Sequence, residues 1–356
     1  MGKVLDNKCP SCGAAIHFKP KLGKFKCDYC DSEFTAEDLK DMDALKVEEE
    51  NEKQASKKKS DDTAYVNYNC PDCGAEIITD ENTAATFCVY CGNTSIIKNR
   101  LSGEFAPDKL IPFKVEKDEA IEAFKNLKKG RPLVPNSFVS TNNIDKITGV
   151  YIPFWLYDIS VDGKITASAT RVTSWSRGDT HYTKTDYYKV VRSGNMEYKR
   201  VPVDGATRFD NNMMNCIEPF DYSKLIDYNH AYLSGFLAEK YDVDVDAAFS
   251  DAKLRTINST KNEILDSMKG YATKTITSSS IEPSVKSTEY VLLPVWMVNV
   301  KYNNKFYLFS MNGESGKFIG NIPLDKRKAV LYSILTFIIS FIVCVVISYI
   351  LFKVVE

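Results

Sequence analysis

Eight of the ten cysteines in this chain fall into four C-x2-C pairs, and the pairs are themselves paired. Cys9 and Cys12 are followed, after fourteen intervening residues, by Cys27 and Cys30; Cys70 and Cys73 are followed, again after fourteen, by Cys88 and Cys91. The flanking text repeats too, NKCPSCGAAI returning as YNCPDCGAEI. Few chains carrying such a pattern can fold without satisfying it first.

How the pattern is satisfied depends on compartment. Residues 329–352 read AVLYSILTFIISFIVCVVISYILF with no charge among them, and 24 residues of helix rise about 36 Å, enough to cross a hydrocarbon core of about 30 Å. Lys326, Arg327 and Lys328 precede the segment and a single Lys353 follows it, so the positive-inside rule leaves the N-terminal bulk in the cytoplasm of a single-pass cell-membrane protein. The opening residues MGKVLDNKCP lack a basic-then-apolar leader, in keeping with that orientation.

In a reducing cytosol such cysteines read as metal ligands rather than disulfides. Two C-x2-C knuckles on facing hairpins set four thiolates around one ion at about 2.3 Å, closing the coordination shell so that the metal holds structure and performs no chemistry. The expected ligands are Cys9, Cys12, Cys27 and Cys30 in a ribbon over residues 1–35, and Cys70, Cys73, Cys88 and Cys91 in a second over 67–100. Two structural Zn²⁺ ions are expected; a mononuclear iron site of rubredoxin type uses the same ligands and softness does not separate the two. A thioredoxin-like pair would need one C-x-x-C between a strand and a long helix, a poor match to four at ribbon spacing. Gly13, Gly74 and Gly92 follow a second cysteine where a tight turn needs positive φ, and Asp31 stands in that role once. About 25 residues bury too little apolar surface to fold alone, so metal binding supplies the folding free energy.

Residues 36–66 hold an acidic block followed by a lysine run and are expected to be a charged, partly helical linker; Lys57, Lys58 and Lys59 fall short of the four to eight cations a lipid-binding cluster shows. Beyond Arg100 the chain turns aromatic and β-branched, predicting an α+β domain over 104–325. That domain contains a repeat: YIPFWLYDISVDGKI from Tyr151 aligns with LLPVWMVNVKYNNKF from Leu292, 141 residues on. Each copy reads as a strand, a DG or NN turn and a return strand, and each follows a helix with an acidic start and a glycine stop, at Gly130 and Gly270. Internal duplication into halves of about 104–200 and 240–325 is the economical reading, with Ile121, Phe124 and Leu127 forming a helix face that lies on the sheet. The fold class is thus multidomain: two small β zinc ribbons, an α+β domain with internal duplication, and one C-terminal transmembrane α-helix.

No acid–base or nucleophile motif surrounds His17, His181 or His230. The run Asp242-Val-Asp244-Val-Asp246 lacks the glycine and glutamate of a calcium loop, and NGESGKFIG is only a fragment of a phosphate loop. No enzymatic role is expected. The tryptophans read as core and Cys216 as a small buried apolar residue. Thr336, Ser340, Cys344 and Ser348 form a small stripe on the membrane helix that permits a homo-oligomer, though a lone span tolerates these residues equally well.

Together, the paired CPxCG ribbons, YIPFWLYD, VPVDGATRFDN from Val201, YLSGFLAEKYDVD from Tyr232 and NGESGKFIGNIP resemble the transcription-factor-IIB-type zinc-ribbon-containing membrane proteins of Gram-positive bacteria. The resemblance implies a partner among membrane scaffolds of the stomatin and flotillin kind, in envelope stress or membrane organisation. The expected function is therefore a membrane-anchored adaptor that binds cytosolic or membrane-associated proteins. The alternative is a membrane-tethered nucleic-acid-binding regulator of transcription or replication. The chain's formal net charge of −1 gives nucleic acid little purchase.

Overall fold

A computed structural model describes residues 9–14, 16–39, 106–140, 144–209 and 211–355, together with the short strands Val4–Leu5, Tyr65–Asn69, Glu76–Asp80, Thr83–Phe87 and Thr94–Ile97. Near the N-terminus β1 (Ile16–Lys19), β2 (Lys24–Cys27) and β3 (Glu33–Phe34) form a small antiparallel sheet. The central domain begins with α1 (Lys117–Lys125), followed by β4 (Ile144–Arg177) and β5 (Thr180–Asp204). Next come β6 (Leu237–Glu239), α2 (Val245–Ser267), β7 (Thr273–Tyr302), β8 (Lys305–Asn312) and β9 (Phe318–Gly320). The chain ends in α3 (Lys326–Val355). The sheet is largely antiparallel, with β9, β8, β7, β4 and β6 side by side and β5 pairing the outer length of β4.

Two features of β4 and β7 organise everything else. The first is symmetry of register. Ile152 faces Leu293 across the two strands, Tyr151 faces Pro294 and Pro153 faces Leu292, so the repeated segments lie antiparallel about a shared centre. Matching contacts surround it. β6 runs parallel to β4 (Val150 to Leu237, Tyr151 to Ala238), and the short strand Lys109–Leu110 runs parallel to β7 (Val291 to Lys109, Leu292 to Leu110). Trp155 Nε1 donates to Val243 O at 2.9 Å, just ahead of α2, while Trp296 Nε1 donates to Val115 O at 2.9 Å, just ahead of α1. Gly205 N–H reaches Pro153 O (2.8 Å) and Gly313 N–H reaches Pro294 O (2.9 Å). Gly205 O then accepts from Asp242 and Val243, as Gly313 O does from Lys114 and Val115. β4 therefore holds the segment leading into α2, and β7 holds the segment leading into α1.

The second feature is length. At about 3.3 Å per residue, the 34 residues of β4 extend roughly 110 Å, several times the usual strand. Beyond Val161, the last of its residues in the main core, it continues with β5 and the start of β7 as a three-stranded arm. α2 lies along one face of this arm through Ala248, Ala252, Thr256, Thr260 and Ile264, one residue per turn and mostly small. Small side chains bring helix and sheet close, and Gly163, Ile165, Ala167 and Ala169 are buried beneath them. The DG dipeptide at Asp162-Gly163, expected as a turn, is instead mid-strand: Gly163 pairs with Gly194, and a Cβ there would lie 2.7 Å from Ile264 Cδ1 and 2.9 Å from Thr260 Cγ2. The second turn forms as expected, with Asn303 and Asn304 at φ of 50° and 59° joining β7 to β8.

β7 stops pairing at Thr170, so the last stretch, Arg171 to Asp186, stands as a two-stranded tip turning at Gly178. Trp175 and Tyr182 stack there with ring centroids 5.5 Å apart, and Trp175, Tyr182 and Tyr187 are exposed by 48%, 42% and 78%. Trp155 and Trp296 are core residues; Trp175 is not, because among the described residues no helix covers the tip. Phe124 on α1 and Leu127 in the 3-10 turn that follows it are buried against Phe138, Val298 and Phe309 as the apolar stripe predicted, while Ala120 is buried in the main core and Ile121 is half-buried.

Candidate metal centre

Cys9 lies just ahead of β1, Cys12 in the turn that follows it, Cys27 at the end of β2 and Cys30 in the turn toward β3. Each pair closes a matching loop. Gly13 N–H donates to Cys9 O (2.8 Å) with Gly13 at φ 77°, and Asp31 N–H donates to Cys27 O (3.0 Å) with Asp31 at φ 59°. Asp31 thus takes the left-handed conformation that glycine takes in the first loop, as aspartate tolerates better than most residues. The loops then return their own amides: Cys9 N–H to Ala14 O and Cys27 N–H to Ser32 O.

These turns bring the four sulfurs within 4.8 Å of one another. Cys9 and Cys30 Sγ are 3.5 Å apart, and Cys12 and Cys27 Sγ 3.6 Å. A tetrahedron with metal–sulfur bonds of about 2.3 Å has edges of about 3.8 Å, so the thiols need only small rotations to close on one ion. The donor set fits a metal. The Ser32 hydroxyl and backbone N–H lower the Cys30 thiol to about 6, with Cys12 adding to the effect. At Cys12 the Ala14 amide pulls downward, but burial and the neighbouring thiols push the group up to about 12. Cys30 is thus favoured as a thiolate over Cys12, and a cation entering the cluster displaces the protons its ligating thiols carry.

The ribbon does not stand apart from the central domain. Phe18 and Phe25 are buried, and both rings meet Tyr232 edge-on at 5.0 and 5.2 Å. Asn229 Nδ2 donates to Ala36 O (3.3 Å), and Lys21 Nζ lies 3.2 Å from Glu119 on α1. Cys9, Ile16 and Cys27 share one core with Tyr151, Trp155 and Trp296. Alongside this contact runs a cleft of about 680 Å³, lined among others by His17, Asp28, Glu116, Phe236 and Trp296. His17 Nε2 is 3.6 Å from Asp28, and burial lowers its pKa against the pull of that carboxylate. Tyr232, two hundred residues from the cysteines, carries no mark in the sequence of this packing.

Cys70, Cys73, Cys88 and Cys91, the second expected set, lie outside the described residues, as does most of 36–66. Among the described strands, Thr83–Phe87 pairs with Thr94–Ile97 and also with β6, which carries the large sheet out toward the N-terminal part of the chain. Cys216, expected to be buried, is exposed beside Asn215, whose Oδ1 accepts from Arg255. The helix α3 contains one segment, Lys326–Tyr349, long and apolar enough to cross a membrane, none of it buried against the protein.

No protein-family model matches the chain, and no solved structure matches it. The uncharacterized protein YdjG of Bacillus subtilis (strain 168) is 34% identical to it over 325 residues, which span 91% of this chain and 92% of YdjG. The chain belongs to the same family as YdjG.

Proposed function

We propose that this member of the YdjG family is a membrane-anchored, non-catalytic scaffold of the transcription-factor-IIB-type zinc-ribbon kind, facing the cytosol and presenting its β arm to partner proteins. α3 is its single span, oriented by Lys326, Arg327 and Lys328. Cys9, Cys12, Cys27 and Cys30 hold one structural Zn²⁺, and Cys70, Cys73, Cys88 and Cys91 hold a second. The two halves of the central domain arose by duplication, supported by the matched tryptophan bonds and the symmetric register of β4 and β7.

The observation that carries the reading is the arm. Trp175, Tyr182 and Tyr187 are held out in solvent at the end of a ladder stiffened by α2, an arrangement that costs stability unless something covers it. The first ribbon, whose Phe18 and Phe25 are occupied by Tyr232, acts as a clasp on the domain rather than as a free docking module. Cytosolic or membrane-associated proteins, including scaffolds of the stomatin and flotillin kind, are the proposed partners. Capture from detergent-solubilised membranes with Trp175→Ala/Tyr182→Ala, beside a Cys9→Ser/Cys70→Ser variant, tests it. The aromatic variant is expected to lose its partners while remaining in the membrane. An unchanged captured set would remove the arm from the proposal.

One observation favours a second reading. Between 171 and 192 the arm carries Arg171, Arg177, Lys184, Lys189 and Arg192 against Asp179 and Asp186, beside a stacked aromatic pair. Cations with aromatic platforms also suit single-stranded nucleic acid. That partner would bind with an affinity falling steeply with salt, whereas a protein seated on the aromatics would not.

A further inference from the structure

The segment after α1 reads LKKGRPLVPN over 127–136, and the approach to α3 reads DKRK over 325–328. Nearly two hundred residues apart in sequence, they meet in the fold. Asp325 N–H donates to Leu133 O (2.9 Å), and Lys328 Nζ donates to Val134 O and Asn136 Oδ1, both at 2.9 Å. The helix therefore leaves the domain without slack, and these bonds join the loop that carries Lys128, Lys129 and Arg131 to the helix start that carries Lys326 and Arg327, all five exposed. Asp325 is the sole carboxylate in the two stretches, and it is engaged as a helix cap by the N–H groups of Arg327 and Lys328.

The neighbouring hairpin adds the other half of the pattern. Ser137 Oγ meets Tyr302 OH at 3.3 Å, and Phe138 packs on Tyr302 and Tyr307, which fixes the β7–β8 turn against the same loop. That turn exposes Lys301 and Lys305, and Phe306 is 69% exposed with the Lys301 ammonium 5.7 Å from its ring centre. Leu324, one residue ahead of the junction, is 59% exposed. Cations interspersed with solvent-facing Phe and Leu, at the point where an apolar helix departs, are the composition of a surface that rests among lipid headgroups.

We propose that this junction is a binding site for anionic phospholipid headgroups, with Lys128, Lys129, Arg131, Lys326 and Arg327 on the phosphates and Phe306 and Leu324 at the acyl boundary. It rests on the membrane-anchoring reading above and goes beyond it: a lone span can tilt in the bilayer and carry the domain with it, whereas the junction seats the domain on the headgroups. Five cations fall in the range of four to eight that such sites use, and each near a charged surface contributes roughly fivefold in affinity.

The test uses the full chain reconstituted in nanodiscs of equal phosphatidylglycerol and phosphatidylcholine, then released into detergent for native mass spectrometry of retained lipid. Wild type is expected to retain phosphatidylglycerol in clear excess over phosphatidylcholine. The triple variant Lys128→Gln/Lys129→Gln/Arg131→Gln is expected to lose that excess at least tenfold. Lys128→Glu/Lys129→Glu, which leaves the Arg131 contact to Leu127 O intact, should do the same. Sedimentation of each variant with membranes checks the span separately, because α3 is untouched. Equal retention of the two lipids by wild type, an unchanged excess in both loop variants, or displacement of the lipid by glycerol phosphate at matching concentration would overturn the proposal.

Discussion

Gly163 and Gly194 face one another across β4 and β5, yet the structure assigns them opposite sensitivities. A Cβ built on Gly163 meets Ile264 Cδ1 at 2.7 Å and Thr260 Cγ2 at 2.9 Å, while one built on Gly194 meets only the open side, with no atom within 4 Å. Neither residue has positive φ, so alanine is conformationally allowed at both. Ile264 is 3% exposed and Thr260 fully buried, with Thr260 Oγ1 held by Tyr198 OH at 2.8 Å, so neither side chain can swing clear. Overpacking of this kind costs about 1–3 kcal/mol, and relief of glycine's backbone entropy in a strand returns about 0.5–1 kcal/mol.

Gly163→Ala is therefore expected to destabilise by about 1–2 kcal/mol and Gly194→Ala to stabilise by about 0.5–1 kcal/mol. For a domain of this size that is a fall of about 2–8 °C in Tm against a rise of about 1–4 °C, read by thermal unfolding of the full chain in detergent. Ile264→Val removes the offending Cδ1, so combining it with Gly163→Ala should cost less than the two separate changes together, by about 0.5 kcal/mol or more. Two glycine variants moving in the same direction, or strict additivity with Ile264→Val, would refute the close crossing of α2 over the arm.

Trp155→Phe and Trp296→Phe each strand one backbone carbonyl, at Val243 and at Val115; each is expected to cost about 1–3 kcal/mol, and chemical denaturation showing one large and one negligible effect would break the proposed equivalence of the halves. Burial raises Glu218 to about 7, against the opposing pull of Arg255, so the folded protein takes up a proton that the unfolded chain does not until about pH 4.5. Stability is therefore expected to fall as pH rises from about 4.5 to about 7, by up to about 3 kcal/mol, and Glu218→Gln should flatten that slope in a pH series of melts. If wild type crosslinks to itself in the membrane, Ser340→Leu with Cys344→Leu is expected to abolish the crosslinked dimer; unchanged crosslinking would show that the small-residue stripe of α3 is not an interface.

What could be read ahead of the structure was whatever short-range chemistry fixes. Four sulfurs need a set spacing to share an ion, and the turn after Cys30 had to be left-handed, so the gathering of Cys9, Cys12, Cys27 and Cys30 followed from their residues alone. Helix stops at Gly130 and Gly270 were equally local, and both glycines do adopt positive φ. Asp162-Gly163 and Asn303-Asn304 look alike as turn dipeptides; only the second turns. The first is overruled by α2, whose Thr260 and Ile264 demand a flat, glycine-lined strand a hundred residues upstream. The arm was illegible for a related reason. From 171 to 189 almost every residue is exposed, so no apolar alternation marks a buried face, and only pairing with a distant partner reveals the strand. Phe18 and Phe25 were legible as apolar but not as half of an interface, since Tyr232 carries no mark of its destination.

The long strands also bear on the proposed role, because they make a stiff path through the domain. β7 runs without a break from the arm at Thr273 to the turn after Tyr302, and β4 returns beside it from Ile144 to the tip. The loop bearing Ser137 and Phe138 ties that turn to the start of α3, so one hydrogen-bonded ladder links the membrane junction to the aromatic tip. Three register shifts along β4 and β7, near Ile144, Asp158 and Thr166, bend the ladder without interrupting it. A flexible linker of similar span would sample many distances and dilute the effective concentration of whatever it carries. A ladder whose central strands each hold the segment leading into the other's helix is stiff along its length, and the N-terminal sheet, whose Phe18 and Phe25 pack on Tyr232, holds the root of that ladder from the side.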